Sequence, residues 1–101
     1  MLEALNPCDD AAFAGQNVAY TGTAGAVTGW APGAPVVLVW CTTDAYVVVG
    51  EGVTATSSHM PIPARTFVAI RVPRNVSGVW RVSAIRISAD GTMYCKPAAE
   101  H

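Results

Sequence analysis

The chain is 101 residues long, enough for one hydrophobic core and too short for two. Apolar residues make up 51% and charged residues 13%, the latter about half of the ~25% usual for a soluble domain, so much of the surface must be Ala, Thr, Ser and Gly. Six basic residues against seven acids, a net charge of −1, argue against nucleic acid as the main partner.

Residues 1–15 hold the one predicted helix. Asn6 suits its N-cap, Pro7 the first helical position, Asp9 and Asp10 the first turn and Gly15 the stop. Two turns do not persist alone in water, so Leu5 and Phe13 are expected to dock this segment on its own domain or on a neighbour. The start, MLEALNPCDD, lacks the basic and apolar regions of a secretory signal, and no run approaches the ~18 apolar residues of a membrane span. Synthesis in the cytoplasm, away from any membrane, is the expectation.

A weak strand, NVAYTG, begins at Asn17, and a Gly- and Ala-rich link leads to a short run at 26–30. APGAP at 31–35 is a turn. Residues 36–50, VVLVWCTTDAYVVVG, are two β-rich runs joined by Thr42-Thr43-Asp44, a connector short enough to predict an antiparallel hairpin. Alternation puts Val37, Val39 and Cys41 on one face and Val36, Leu38 and Trp40 on the other. Neither face is polar, whereas a strand with one wet side alternates, so both faces are expected to be covered.

Residues 51–64 are polar and irregular, and Pro61 and Pro63 place them at an edge or between sheets, because proline cannot donate to a ladder. The strand predicted at 66–72 turns Val68, Ile70 and Val72 one way and Phe67, Ala69 and Arg71 the other. Asn75-Val76-Ser77, formally a glycosylation acceptor, reads as a plain surface loop. Residues 80–88 and 92–96 predict a second hairpin across Ala89-Asp90-Gly91, with a bulge near Ala84 that would bring Arg81 and Arg86 to one face. The predicted organisation is an arm or short helix at 1–17, a β-sandwich domain at 18–97 and a structureless tail at 98–101. Seven to eight short antiparallel strands with turns every eight to twelve residues make an all-β, single-domain β-sandwich or jelly roll.

Chemistry-bearing patterns are sparse. Cys41 and Cys95 lie in apolar strands and behave most simply as small buried hydrophobes, with a disulfide between them left open and Cys8 as an odd third. There is no CxxC, and His59 and His101 have no partner at ligand spacing, so neither metal nor cofactor is expected. Asp44 and Asp90 are turn formers, Ser58-His59 lacks a partner acid, and the glycines of 21–29 lack the Lys and helix of a phosphate loop. The expectation is a protein with no catalytic residue. Of the three tryptophans, Trp40 reads as core or interface, while Trp30 and Trp80 are freer and are the candidates for stacking on a sugar ring. Residues 1–64 carry five acids and no Lys or Arg, whereas 65–101 carry all six basic residues and two acids. These charges either pair within the chain or meet between subunits; for the second case Arg65, Arg71, Arg74, Arg81 and Arg86 are the candidate contacts.

The succession VWCTTDAYVVVG, TSSHMPIPA, TFVAIRVP and WRVSAIRISADGTMYCKP, across 36–97, resembles small virion proteins of tailed bacteriophages that decorate or cement the head. The resemblance lies in strand order and turn residues and includes no catalytic or ligand motif. It implies a sandwich or jelly-roll subunit, made in the bacterial host cytoplasm and ending in the virion. Such a subunit would bind the major capsid protein or another virion protein as a symmetric homo-oligomer, with a trimer favoured. The alternative is a carbohydrate- or receptor-binding module of the tail, fibre or neck.

Overall fold

The computed structural model describes residues 5–7, 15–73 and 77–100, with side chains over 15–73 and 77–98. Among these the chain is all β, in nine strands: β1 (Leu5–Pro7), β2 (Gln16–Tyr20), β3 (Gly25–Ala26), β4 (Val36–Cys41), β5 (Ala45–Gly50), β6 (Met60–Ile62), β7 (Val68–Arg71), β8 (Arg81–Arg86) and β9 (Gly91–Glu100). No helix among them is long and apolar enough to cross a membrane.

The strands form two antiparallel sheets. In the larger, β9 lies between β4 and a lane shared by β1 and β2, and β7 closes the far side of β4; in the smaller, the order is β3, β8, β5, β6. Since β1 pairs with residues 98–100 of β9 and β2 with residues 91–95, the two are one interrupted lane, and each sheet has four lanes. From β2 onward the strands alternate one by one between the sheets, except that β5 and β6 are consecutive in the smaller, and their neighbours follow the order of an eight-stranded jelly roll.

Three expectations change. First, neither predicted hairpin exists. β4 belongs to the larger sheet and β5 to the smaller, so 42–44 is an arch that crosses between sheets, and 87–90 is a second arch between β8 and β9. The arches stack on each other: Thr42 N donates to Thr92 O at 3.0 Å, Thr92 N to Thr42 Oγ1 at 2.9 Å, and Thr43 Oγ1 to Ala89 O at 2.9 Å. β4 pairs with β9 and β5 with β8 as a result. Second, β8 runs in unbroken register against β5 from Arg86 opposite Ala45 to Arg81 opposite Gly50, so there is no bulge and the two arginines fall on opposite faces. Third, residues 5–7 and 98–100 are strand. Leu5–Pro7 pairs with Glu100, Ala99 and Ala98 of its own chain, so no helix starts at Asn6, and β9 runs through residues 98–100 of the predicted tail. Pro97, which has no N–H to give, falls opposite the break between β1 and β2. The rest of the predicted helix, 8–14, lies outside the described residues.

The core sits between the sheets, where Val37, Val39 and Cys41 of β4 face Val47 of β5 and Val82 and Ala84 of β8, all buried. Tyr20 fills the arch end. Its hydroxyl donates to Thr43 O at 2.7 Å and accepts from Thr43 N at 3.2 Å, and burial raises its pKa. Gly91 keeps this corner open, because a Cβ there would stand 2.7 Å from both the Tyr20 hydroxyl and Thr42 Oγ1. At the other end Trp30 and Trp80 form a two-way backbone bridge and pack ring on ring at 4.9 Å. Gly29 leads into this bridge at φ +103°, against the Trp80 carbonyl, where only glycine fits.

Candidate functional site

The outer faces of the two sheets differ. On the smaller sheet, residues 53–55 lie across the middle: Ser83 Oγ accepts from Ala55 N and donates to Gly25 O, both at 2.9 Å, and Arg81 Nε donates to Val53 O at 3.0 Å. This leaves Ala55 and Ser83 buried. The chain thus covers part of the outer face of β8 itself, while Tyr46 and Val48 on the outer face of β5 stay half-buried.

No such segment lies over the larger sheet among the described residues. Of the side chains that β4, β7 and β9 turn away from the core, Trp40, Leu38, Ala69, Arg71, Tyr94 and Lys96 stay half-buried or exposed while Val36 and Ala98 are buried, and the register aligns them in rows. Trp40 lies opposite Tyr94, which lies opposite Asn17; Leu38 is flanked by Lys96 and Ala69; Val36 is flanked by Ala98 and Arg71. Phe67, just before β7, completes the first row. Trp40 sits between the other two rings, 5.7 Å from Tyr94 and 6.3 Å from Phe67, with the planes tilted by 51° and 41°. Phe67 is 71% exposed and Tyr94 46%. A three-ring cluster in favourable tilted contact thus spans β7, β4 and β9 on the surface of the molecule. A shallow groove of about 330 Å³ runs between Phe67 and Tyr94 over Leu38, towards Lys96 and the start of β2.

The residues singled out from sequence fall differently. Trp30 and Trp80 are 4% and 0% exposed, and the Trp80 indole donates to Ala31 O at 3.1 Å, so neither offers a ring face to a sugar. They are core because alternation turns Trp80 inward with Val82 and Ala84, and the bridge brings Trp30 to meet it. The described arginines do not share a surface. Arg71 lies on the aromatic face, Arg81 holds the covering segment of the other sheet, Arg86 pairs with Asp90 at 2.6 Å, and Arg65 sits exposed with φ 57° beside the first arch. Phe13, Arg74 and the Leu5 side chain lie outside the described residues. Trp40, assigned to core or interface, is the centre of the exposed cluster. Tyr94 is a surface aromatic that alternation alone marks, since it sits between the buried Met93 and Cys95, and Phe67 lies on the outward face that alternation gives to the strand of residues 66–72.

For chemistry, the acids serve the backbone. Asp44 Oδ1 accepts from Ala64 N at 2.7 Å, and the Glu51 carboxylate accepts from Ser77 N and, at 3.0 Å, from Gly78 N. Those amides hold the Glu51 pKa below the usual carboxylate value. His59 Nδ1 accepts from Thr56 N at 2.9 Å inside its own turn. Among the described residues no three His, Cys, Asp or Glu converge as a metal site. Cys41 and Cys95 are free, buried thiols; burial pushes Cys41 up to about 11 and raises Cys95 as well, so both stay protonated at neutral pH. No protein-family model, curated protein or solved structure matches this chain.

Proposed function

We propose that this chain is a non-enzymatic structural protein of a tailed-phage virion, a decoration protein that forms homo-oligomers and binds the shell of the major capsid protein. The observation that carries this reading is the aromatic cluster on the outer face of the larger sheet, over which no described segment lies. Trp40, Phe67 and Tyr94 lie together there beside Leu38, whereas on the other sheet residues 53–55 lie over β8. A surface of this kind is a contact site for protein. The jelly-roll strand order adds a fold-level analogy, since that architecture serves in viral capsid and lectin domains, and fold alone does not assign function. The test is co-sedimentation of the purified chain with capsids assembled from the phage's major capsid protein. The wild type pellets with capsids in a saturable manner and Phe67→Asp does so much less; a wild-type chain that stays in the supernatant overturns the proposal. The second reading, a carbohydrate-binding module, is favoured by the groove between Phe67 and Tyr94 and not by the buried Trp30 and Trp80. A glycan-array signal abolished by Tyr94→Ala would select it.

A further inference from the structure

We propose that β7 pairs with β7 of a second copy, antiparallel about a two-fold axis at Ala69, so that the two larger sheets become one continuous sheet. The contact lies at the edge of that sheet and goes beyond the capsid contact proposed for its aromatic face.

The chain closes one side of the sandwich and leaves the other open. The arches set β4 over β5 and β9 over β8, so the β2 edge lies with β3 and the β7 edge with β6. On the first side the Gln16 amide donates to Gly29 O and accepts from Gly29 N, both at 2.9 Å, and Gly25 lies against the Ala19 carbonyl. On the second side no described strand lies beyond β7. Val68 and Ile70 turn inward there and pack against the core yet stay half-buried, and Met60, opposite the buried Val47, is 52% exposed. The sandwich thus ends in an apolar rim that one more lane would cover. β6 blunts its own edge, being three residues long with Pro61 at its centre. β7 has no such device: residues 64–72 contain no proline and turn no charge inward.

Register identifies the lane. Val72 N donates to Pro35 O at 2.9 Å, and bonded positions alternate in an antiparallel ladder, so Val68 and Ile70 also bond to β4 while Ala69 turns its N–H and C=O to the free edge. A strand that completes this edge needs an open donor and acceptor at its centre and apolar residues turned to the core on either side of it. β7 is itself such a strand, which is why the occupant is a second copy. About a dyad at Ala69, each Ala69 N–H donates to the Ala69 carbonyl of the other copy. Val68 then falls opposite Ile70 at the closer-spaced, non-hydrogen-bonded positions, where β-branched pairs stabilise a sheet. A dyad at Arg71 would set two arginines directly opposite each other, and one at Phe67 would set Ala69 opposite Arg65, whose φ of 57° lies outside strand geometry. One strand pair buries less than the ~800 Å² per partner of a standard interface, so the dimer is weak and concentration-dependent. Its dyad is normal to the sheet, so both aromatic faces look to the same side and a dimer presents them together, a gain through avidity.

Two measurements on the purified chain without capsids test the proposal. In sedimentation from micromolar to millimolar concentration, the wild type passes from monomer to dimer, and Ala69→Pro weakens the dimer about tenfold or more. The fold tolerates proline at this exposed position because the N–H it removes faces away from β4, and near-ultraviolet circular dichroism of the Trp30–Trp80 pair verifies that the variant is folded. Amide hydrogen exchange needs no variant: the Ala69 N–H exchanges fast in dilute solution and becomes protected as the dimer forms, while the Ile70 N–H is protected throughout. A chain that is monomeric at millimolar concentration, a trimer, a dimer that Ala69→Pro leaves unchanged, or an Ala69 amide whose exchange ignores concentration overturns the proposal. A monomer that still pellets with capsids overturns this inference and leaves the proposed function standing. A dimer with the expected pattern that never pellets with capsids does the reverse.

Discussion

Tyr20 shows how much of this fold depends on single side chains that reach across the sequence. Its hydroxyl, buried under the two arches, satisfies both the N–H and the carbonyl of Thr43, 23 residues away, while Thr43 Oγ1 continues to Ala89. Tyr20→Phe leaves those backbone groups without a partner in a site too tight for water to replace the hydroxyl freely. The expected loss is about 1–3 kcal/mol, read as a lower urea midpoint with the slope unchanged. Glu51 is the corresponding case on the surface. Its carboxylate pKa is lowered from 4.5 by the amides of Gly78 and Ser77, so its hold on that loop is complete above about pH 4.5 and is lost as pH falls through the lowered value. In an NMR titration the Ser77 and Gly78 amide signals should move together with a midpoint below 4.5, and Glu51→Gln should abolish the movement. Signals that titrate independently would remove Glu51 as the cause.

At the scale of elements, alternation was legible and partnership was not. The faces of β4 and β7 follow from sequence, since Val37, Val39, Val68 and Ile70 do pack into or against the core while Trp40, Phe67 and Arg71 turn outward. A hairpin and an arch look alike locally, because both are two β-rich runs around a short polar connector. The distinction here depends on which distant strand each run joins, and on hydrogen bonds between 42–43 and 89–92 that no local pattern encodes. The absence of glycine from Thr42-Thr43-Asp44 was the one local sign against a tight hairpin turn, which favours positive φ. Gly91, read as a turn residue, instead makes room for Tyr20 and Thr42. The aromatic cluster was hidden for the same reason, as its three rings come from strands adjacent in space and far apart in sequence. This contrast makes a paired prediction. Trp80→Ala empties a fully buried site and should cost about 3–5 kcal/mol, whereas Phe67→Ser, at an exposed position, should stay within about 0.5 kcal/mol in chemical denaturation. A large loss at Phe67 would mean that the ring supports the fold and not a contact.

For the whole molecule, the consequence of two stacked arches is that neither sheet can form without the other. β9 lies between β4 and the lane of β1 and β2, so the larger sheet closes only when residues 91–100 are in place, and each arch feeds one strand to each sheet. Pairings such as Tyr20 with Gly91 and Gln16 with Cys95 demand closure of most of the chain before they return any stability. Refolding should accordingly be slow for a domain of this size, in the milliseconds-to-seconds range, and unfolding should expose both sheets in one step. Cys41 and Cys95 report on that step, since they are buried in adjacent strands of the larger sheet and carry pKa values raised by burial, which keep them protonated and unreactive while the fold is intact. In a Cys8→Ser background, both thiols should react with an alkylating reagent at one common rate. With reagent in excess, that rate should equal the unfolding rate measured by the fluorescence of the Trp30–Trp80 pair. If Cys95 reacts faster than Cys41, the β2–β9 side opens on its own and the arches do not couple the sheets.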